Sequence, residues 1–66
     1  MRLNAPELAY GFNMRNIQGL SLLEGTGTRT QIEKQLNQVL QNLPAGIYIL
    51  QLNHSGQRYE AKLVKP

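Results

Sequence analysis

The side chains of this chain that are equipped for chemistry are few and scattered. There is one histidine, His54, and it sits between Asn53 and Ser55 in a turn-like stretch. The acids are Glu7, Glu24, Glu33 and Glu60, with no Asp. A general base needs a positioned partner, and hydrolysis by two carboxylates needs a matched pair. Neither pattern is present. Ser21 and Ser55 lack the glycine-flanked setting of a strained nucleophile. No oxygen or nitrogen ligands cluster at metal-binding spacing, so no catalytic residue, metal site or cofactor is expected. Gly25-Thr26-Gly27-Thr28 is glycine-rich but lacks the Gly-Lys-Ser/Thr ending of a phosphate loop. The sequence therefore points away from an enzyme and toward a binding or structural role.

The basic residues are the other group with binding potential. Seven Lys and Arg against four acids give a net charge of +3. They are scattered along the chain, whereas a dedicated nucleic-acid domain concentrates them on one face. Arg15, Arg58, Lys62 and Lys65, with Tyr48 and Tyr59, are the set that could stack bases and contact phosphate. With Tyr59 expected in the core, only Tyr48 remains beside the cations, and nucleic acid is not the favoured partner.

Sixty-six residues make one small domain, residues 1–66, with a modest core. Without cysteine it has neither disulfides nor thiol or zinc-finger chemistry. So small a core makes packing against a partner chain or a parent protein a natural expectation. No segment is apolar and long enough to span a membrane as a helix. Residues 1–7, Met-Arg-Leu-Asn-Ala-Pro-Glu, lack the apolar centre of a signal peptide and read as a flexible N-terminal segment.

Two hairpins and a helix organise these residues. Asn16-Ile17-Gln18-Gly19 and Asn53-His54-Ser55-Gly56 share an Asn-x-x-Gly signature between strand-like runs. Asn opens a type I turn, and glycine in the left-handed region closes a three-residue loop. In the first hairpin Tyr10, Phe12 and Met14 alternate with Gly11, Asn13 and Arg15, giving one apolar face. Leu20, Leu22 and Leu23 lie on the return strand, and Gly25 to Arg29 reads as a loop. Thr30-Gln31-Ile32-Glu33 is a capping box that opens an amphipathic helix over residues 31–42. Ile32, Leu36, Val39, Leu40 and Leu43 form its apolar stripe, and Gln31, Lys34, Gln35, Asn37, Gln38, Gln41 and Asn42 its polar face. Pro44 ends it.

Leu43-Pro44-Ala45-Gly46 is a turn into the strand Ile47 to Leu52, and Gln57 to Val64 returns as its partner. If Asn53 pairs with Gln57, the core face of this hairpin holds Ile47, Ile49, Tyr59, Ala61 and Leu63. The outer face then pairs Leu52 with Arg58, Leu50 with Glu60 and Tyr48 with Lys62. That half-apolar outer face is either shielded by the stems of Arg58 and Lys62 or covered by another chain, a second copy included. The fold expected is α+β, ββαββ, two antiparallel hairpins with the helix on one sheet face. The alternative is an all-β sandwich.

The run Leu43-Pro44-Ala45-Gly46-Ile47-Tyr48-Ile49-Leu50, the hairpin glycine Gly56 and the ending Lys62-Leu63-Val64-Lys65 resemble the C-terminal sorting domains of type IX secretion cargo in Bacteroidetes. Met14 to Gly19 resembles that family's earlier hairpin; the likeness covers roughly residues 12 to 65 and is tight only over residues 43–65. The resemblance implies a β-sandwich, so the helix over 31–42 departs from the family pattern. It implies a non-catalytic module that directs an attached passenger to the cell surface, recognised by the secretion machinery and cut off on its N-terminal side. The positions carried over are Gly19, Leu43, Pro44, Gly46, Tyr48, Gly56, Lys62 and Lys65. Gly19, Leu43, Pro44, Gly46 and Gly56 serve turns and folding, and Tyr48, Lys62 and Lys65 are the recognition candidates. The chain is then either the end of a longer secreted or surface cargo, or a stand-alone cytoplasmic binding protein, as a homodimer or a weak nucleic-acid binder.

Overall fold

The computed structural model describes residues 3 and 5–66. Its elements are β1 (Ala9–Asn16), β2 (Ser21–Thr28), α1 (Arg29–Gln41), β3 (Gly46–His54) and β4 (Gln57–Lys65). They form one four-stranded antiparallel sheet in the order β2-β1-β3-β4, as the ββαββ expectation requires. A single sheet with a helix leaves no role for the sandwich alternative. Strands β2 and β3 run the same way with β1 between them, so the chain must cross one sheet face to join them. Helix α1 makes that crossing and buries Ile32 and Leu36 against the sheet. The core beneath it comprises Tyr10, Phe12, Met14, Tyr48, Leu50 and Leu52, joined by Leu3.

Both hairpins enter the core by the same device. The Tyr10 hydroxyl donates to the Pro6 carbonyl at 2.8 Å, and the Tyr48 hydroxyl donates to the Pro44 carbonyl at 2.6 Å. Each buried tyrosine thus satisfies its polar end on a proline four residues back, a carbonyl that no regular ladder uses.

The first hairpin closes as its turn signature predicts. Asn16 and Leu20 pair across the loop, the Asn16 Oδ1 accepts from the Gln18 and Leu20 amides, and Gly19 has φ 89°. A bulge then places Met14 opposite Leu23 and Arg15 opposite Ser21, leaving Leu22 as the extra residue.

The second hairpin does not follow the first. His54 pairs with Gln57, so the loop is the two residues Ser55 (φ 46°) and Gly56 (φ 80°), the left-handed pair of a type I′ turn. The register therefore differs by one residue from the expected Asn53–Gln57 pairing, and a slip of one exchanges the faces of a strand. Tyr59, Ala61 and Leu63 still point toward the core, but their partners are Leu52, Leu50 and Tyr48. Ile47 and Ile49 point outward, and Lys62 lies beside Ile49. Tyr48 is 5% exposed, so its expected outward position is corrected. The half-apolar outer face built from Tyr48, Leu50 and Leu52 does not form.

Two further local readings change. Strand β2 runs through Gly25 to Thr28, where a loop is expected from the glycines. Those glycines serve packing: a Cβ on Gly25 would lie 3.0 Å from the Phe12 ring, and one on Gly27 3.0 Å from Gln31 Oε1. The helix also starts earlier, with Thr28 as N-cap. Thr28 Oγ1 accepts from the Gln31 amide at 3.3 Å, and Gln31 Oε1 accepts from the Thr28 amide at 2.9 Å. This is a capping box two residues upstream of the expected one. It prevails because Thr28, as the last residue of β2, already has the extended backbone an N-cap needs (φ −73°, ψ 165°). The helix end at Gln41 agrees with the sequence reading.

Of residues 1–7, expected to be a flexible segment, residues 1, 2 and 4 lie outside the described residues, and Leu3 and residues 5–7 carry contacts. Leu3 is buried and its amide donates to Glu33 Oε2 at 3.1 Å. The Glu7 carboxylate accepts from the Thr30 amide and hydroxyl and pairs with Arg29 at 3.3 Å. Helix α1 has no acid in its first turn, so Glu7 supplies from outside the negative charge that a helix N-terminus favours. The Thr30 hydroxyl and amide, with Arg29 adding to them, hold the Glu7 carboxyl below its ordinary value. A depressed carboxyl stabilises the fold above its unfolded pKa, and that stabilisation is lost as pH falls through the lower folded value. The melting temperature of the wild-type chain is therefore expected to exceed that of Glu7→Gln near neutral pH. The gap should close below about pH 4, where carboxyls protonate. A gap that persists into strong acid would show that the Glu7 charge is not what holds the segment.

Candidate recognition surface

Side chains with chemical potential are, with few exceptions, committed to structural contacts. His54 Nδ1 lies 2.8 Å from the Ala9 carbonyl, and its ring meets Tyr10 edge-on at 5.8 Å. Glu33 accepts from the Leu3 amide, and Glu7 binds the helix start. Glu24 accepts from Asn13 and Ser21, and Glu60 from Gln51. Among the described residues, no group of three His, Cys, Asp or Glu side chains can hold a metal ion. Nor is any helix among the described residues long and apolar enough to cross a membrane.

The three recognition candidates do not come together. Tyr48 is inside, under the helix, with its hydroxyl on Pro44. Lys65 reaches around the end of α1, and its Nζ donates to the carbonyls of Leu40 and Leu43. Helix α1 has no basic residue in its last turn, so Lys65 brings a cation from β4 to carbonyls at the negative end of the helix. Only Lys62 stands on the open outer face of the sheet. Tyr59, the other aromatic of the nucleic-acid set, packs against the core and meets Tyr10 edge-on at 5.9 Å. The basic outer face therefore presents neither Tyr48 nor Tyr59 for base stacking.

The outer face itself falls into two halves. Toward one end, a polar ladder crosses all four strands. Asn13 donates to Ser21 at 2.8 Å and to Glu24 at 3.1 Å, and Gln51 donates to Glu60 at 2.8 Å. Asn13 and Gln51 are themselves cross-strand neighbours. Toward the other end lies the row Arg15, Ile49, Lys62, followed by Ile47 beside Val64. Val64 is 65% exposed and Ile47 36%. Arg15 makes a long contact of 3.5 Å to Gln51 Oε1, and the ion pairs among the described residues run only from Arg29 to Glu7 and Glu33. Arg15 and Lys62 thus frame an aliphatic strip with positive charge that no carboxylate among the described residues pairs with. As a binding candidate the sequence reading names Arg15 only in the nucleic-acid set, and Ile47, Ile49 and Val64 are missing from the sequence-derived candidates. Their signal was the β-branched run Ile47-Tyr48-Ile49, whose faces depend on one residue of turn register.

A family model described as a secretion system C-terminal sorting domain matches residues 3–66. No curated protein and no solved structure gives a match.

Proposed function

Since the chain belongs to the family of type IX secretion C-terminal sorting domains, we propose that it is the non-catalytic address of a passenger, read by the secretion machinery on the outer sheet face. In this reading the passenger is delivered to the cell surface. The observation that carries it is the outer-face strip, where Arg15 and Lys62 flank Ile49 without ion-pair partners among the described residues. Such a strip suits a partner surface that is apolar at its centre and acidic at its rim. The engagement of His54 and the four glutamates in structural hydrogen bonds supports a role without catalysis. Lys65 and Tyr48 then act on sorting through the fold, one by capping α1 and the other by filling the core.

The test is a passenger fused to the domain, with its amount at the cell surface measured. Arg15→Ala with Lys62→Ala should lower surface display severalfold while the circular dichroism of the isolated domain stays at wild type. Undiminished display with both cations removed would show that recognition lies elsewhere.

A further inference from the structure

Strand β4 is nine residues long and forms an open edge of the sheet. Long open edges invite pairing with another chain, and lysines on an edge normally discourage it. We infer that β4 pairs antiparallel with β4 of a second copy, about a two-fold axis at Ala61, to give a closed dimer with one eight-stranded sheet.

Hydrogen-bond parity comes first. The two-residue loop makes His54–Gln57 the closing hydrogen-bonded pair of the hairpin. Alternation along the ladder then turns the backbone groups of Gln57, Tyr59, Ala61, Leu63 and Lys65 toward β3. The groups of Arg58, Glu60, Lys62 and Val64 face the open edge. An axis at Ala61 sets Glu60 against the partner's Lys62 and Arg58 against the partner's Val64, so every free edge group meets another.

Charge then selects this register. On the outer face it forms two reciprocal Glu60–Lys62 pairs. A shift of two residues in one direction opposes Glu60 with the partner's Glu60, and in the other direction Lys62 with the partner's Lys62. Like charges directly opposite destabilise a sheet pair. The axis at Ala61 also aligns the whole of both strands, Gln57 with the partner's Lys65.

Packing agrees on the inner face. Tyr59, Ala61 and Leu63 are only partly buried. A cavity of about 180 Å3, lined by Leu3, Ala5, Leu50, Leu52 and Tyr59, opens beside Ala61. The second copy lays its Leu63 against Tyr59 and covers this row. On the outer face the stem of Arg58 meets the partner's exposed Val64. The interface uses the same edge on both copies, so it closes as a dimer and does not propagate.

Sedimentation of the 66-residue chain over a concentration series should show a monomer–dimer equilibrium. Lys62→Glu alone and Glu60→Lys alone should each weaken the dimer by about tenfold or more, since both reciprocal pairs become repulsive. The double exchange Glu60→Lys with Lys62→Glu should restore it. A second measurement is independent of charge. Residue 61 meets itself across the axis in a non-hydrogen-bonded pair, with Cα atoms about 4.5 Å apart, within disulfide reach. The chain has no cysteine, so under oxidation Ala61→Cys should cross-link efficiently and Leu63→Cys should not. A chain that stays monomeric at every concentration, a dimer indifferent to the single reversals, or no cross-link at position 61 each overturns the proposal.

Discussion

Truncating Tyr48 to Ala should unfold this domain far more readily than truncating Ile49 to Ala. The two residues are neighbours on β3 but lie on opposite faces. Tyr48 is 5% exposed, packs under α1 with Leu50 and Leu52, and donates its hydroxyl to Pro44 at 2.6 Å. Its loss empties a ring-sized space and leaves the Pro44 carbonyl without that donor. Truncations of buried aromatic residues cost about 3–5 kcal/mol. Ile49 sits on the outer face between Arg15 and Lys62, partly open to water, where little cavity can form. Its truncation should cost about 1 kcal/mol, the range of half-exposed strand substitutions. A domain of this size has little stability in reserve, so the Tyr48 variant should be largely unfolded at room temperature. Tyr48→Phe separates ring from hydroxyl and should cost only about 1 kcal/mol, the net worth of one hydrogen bond. Chemical denaturation of the three variants decides the matter. Equal losses from Tyr48→Ala and Ile49→Ala would mean that the register of the second hairpin is not the one described.

The second large effect is expected at Lys65, with Lys62 as its control. Lys65 is near the end of the last strand, where a substitution would ordinarily be harmless. Its ammonium instead binds the Leu40 and Leu43 carbonyls at the C-terminal end of α1. Lys65→Met keeps the aliphatic stem and removes the donor. The loss should be about 1–3 kcal/mol, because charge-assisted hydrogen bonds are the stronger kind and the carbonyls are part-buried. For a domain of this length, each kcal/mol lowers the melting temperature by roughly 4–8 °C. In the monomer Lys62 faces water, so at concentrations below dimer formation Lys62→Met should leave the melting temperature within a few degrees of wild type. If both lysine variants melt alike, Lys65 does not hold the helix end. A large loss for Lys65→Met and none for Lys62→Met would separate the lysine that builds the domain from the one proposed for recognition.

The two lysines illustrate what the chain's order alone establishes. Local patterns determined the element types: the period-two run Tyr10-Phe12-Met14, the helical stripe Ile32-Leu36-Val39-Leu40, the turns at Gly19 and Gly56, and the helix stop before Pro44. Each depends on backbone propensities within a few residues, so each is legible without a partner segment. The motif residues from Leu43 to Lys65 likewise carried the family likeness that the family model extends to residues 3–66. Tertiary structure decided which way the strands face. Asn53-His54-Ser55-Gly56 accommodates a three-residue or a two-residue loop. What distinguishes them is the pairing of β3 with β1, which sets Met14 beside Leu50 and Phe12 beside Leu52. That cross-strand match joins residues some 36 to 40 positions apart, beyond the reach of any local pattern. It put Tyr48 inside and Ile49 outside. The same holds for the glycines of β2, which read as a loop until the Phe12 ring lies over Gly25. It holds equally for the helix termini, where the balancing charges come from Glu7 and Lys65, each more than twenty residues from the backbone groups it serves. A helix end accepts its complementary charge from any segment that passes nearby, and only the packed chain shows which segment does.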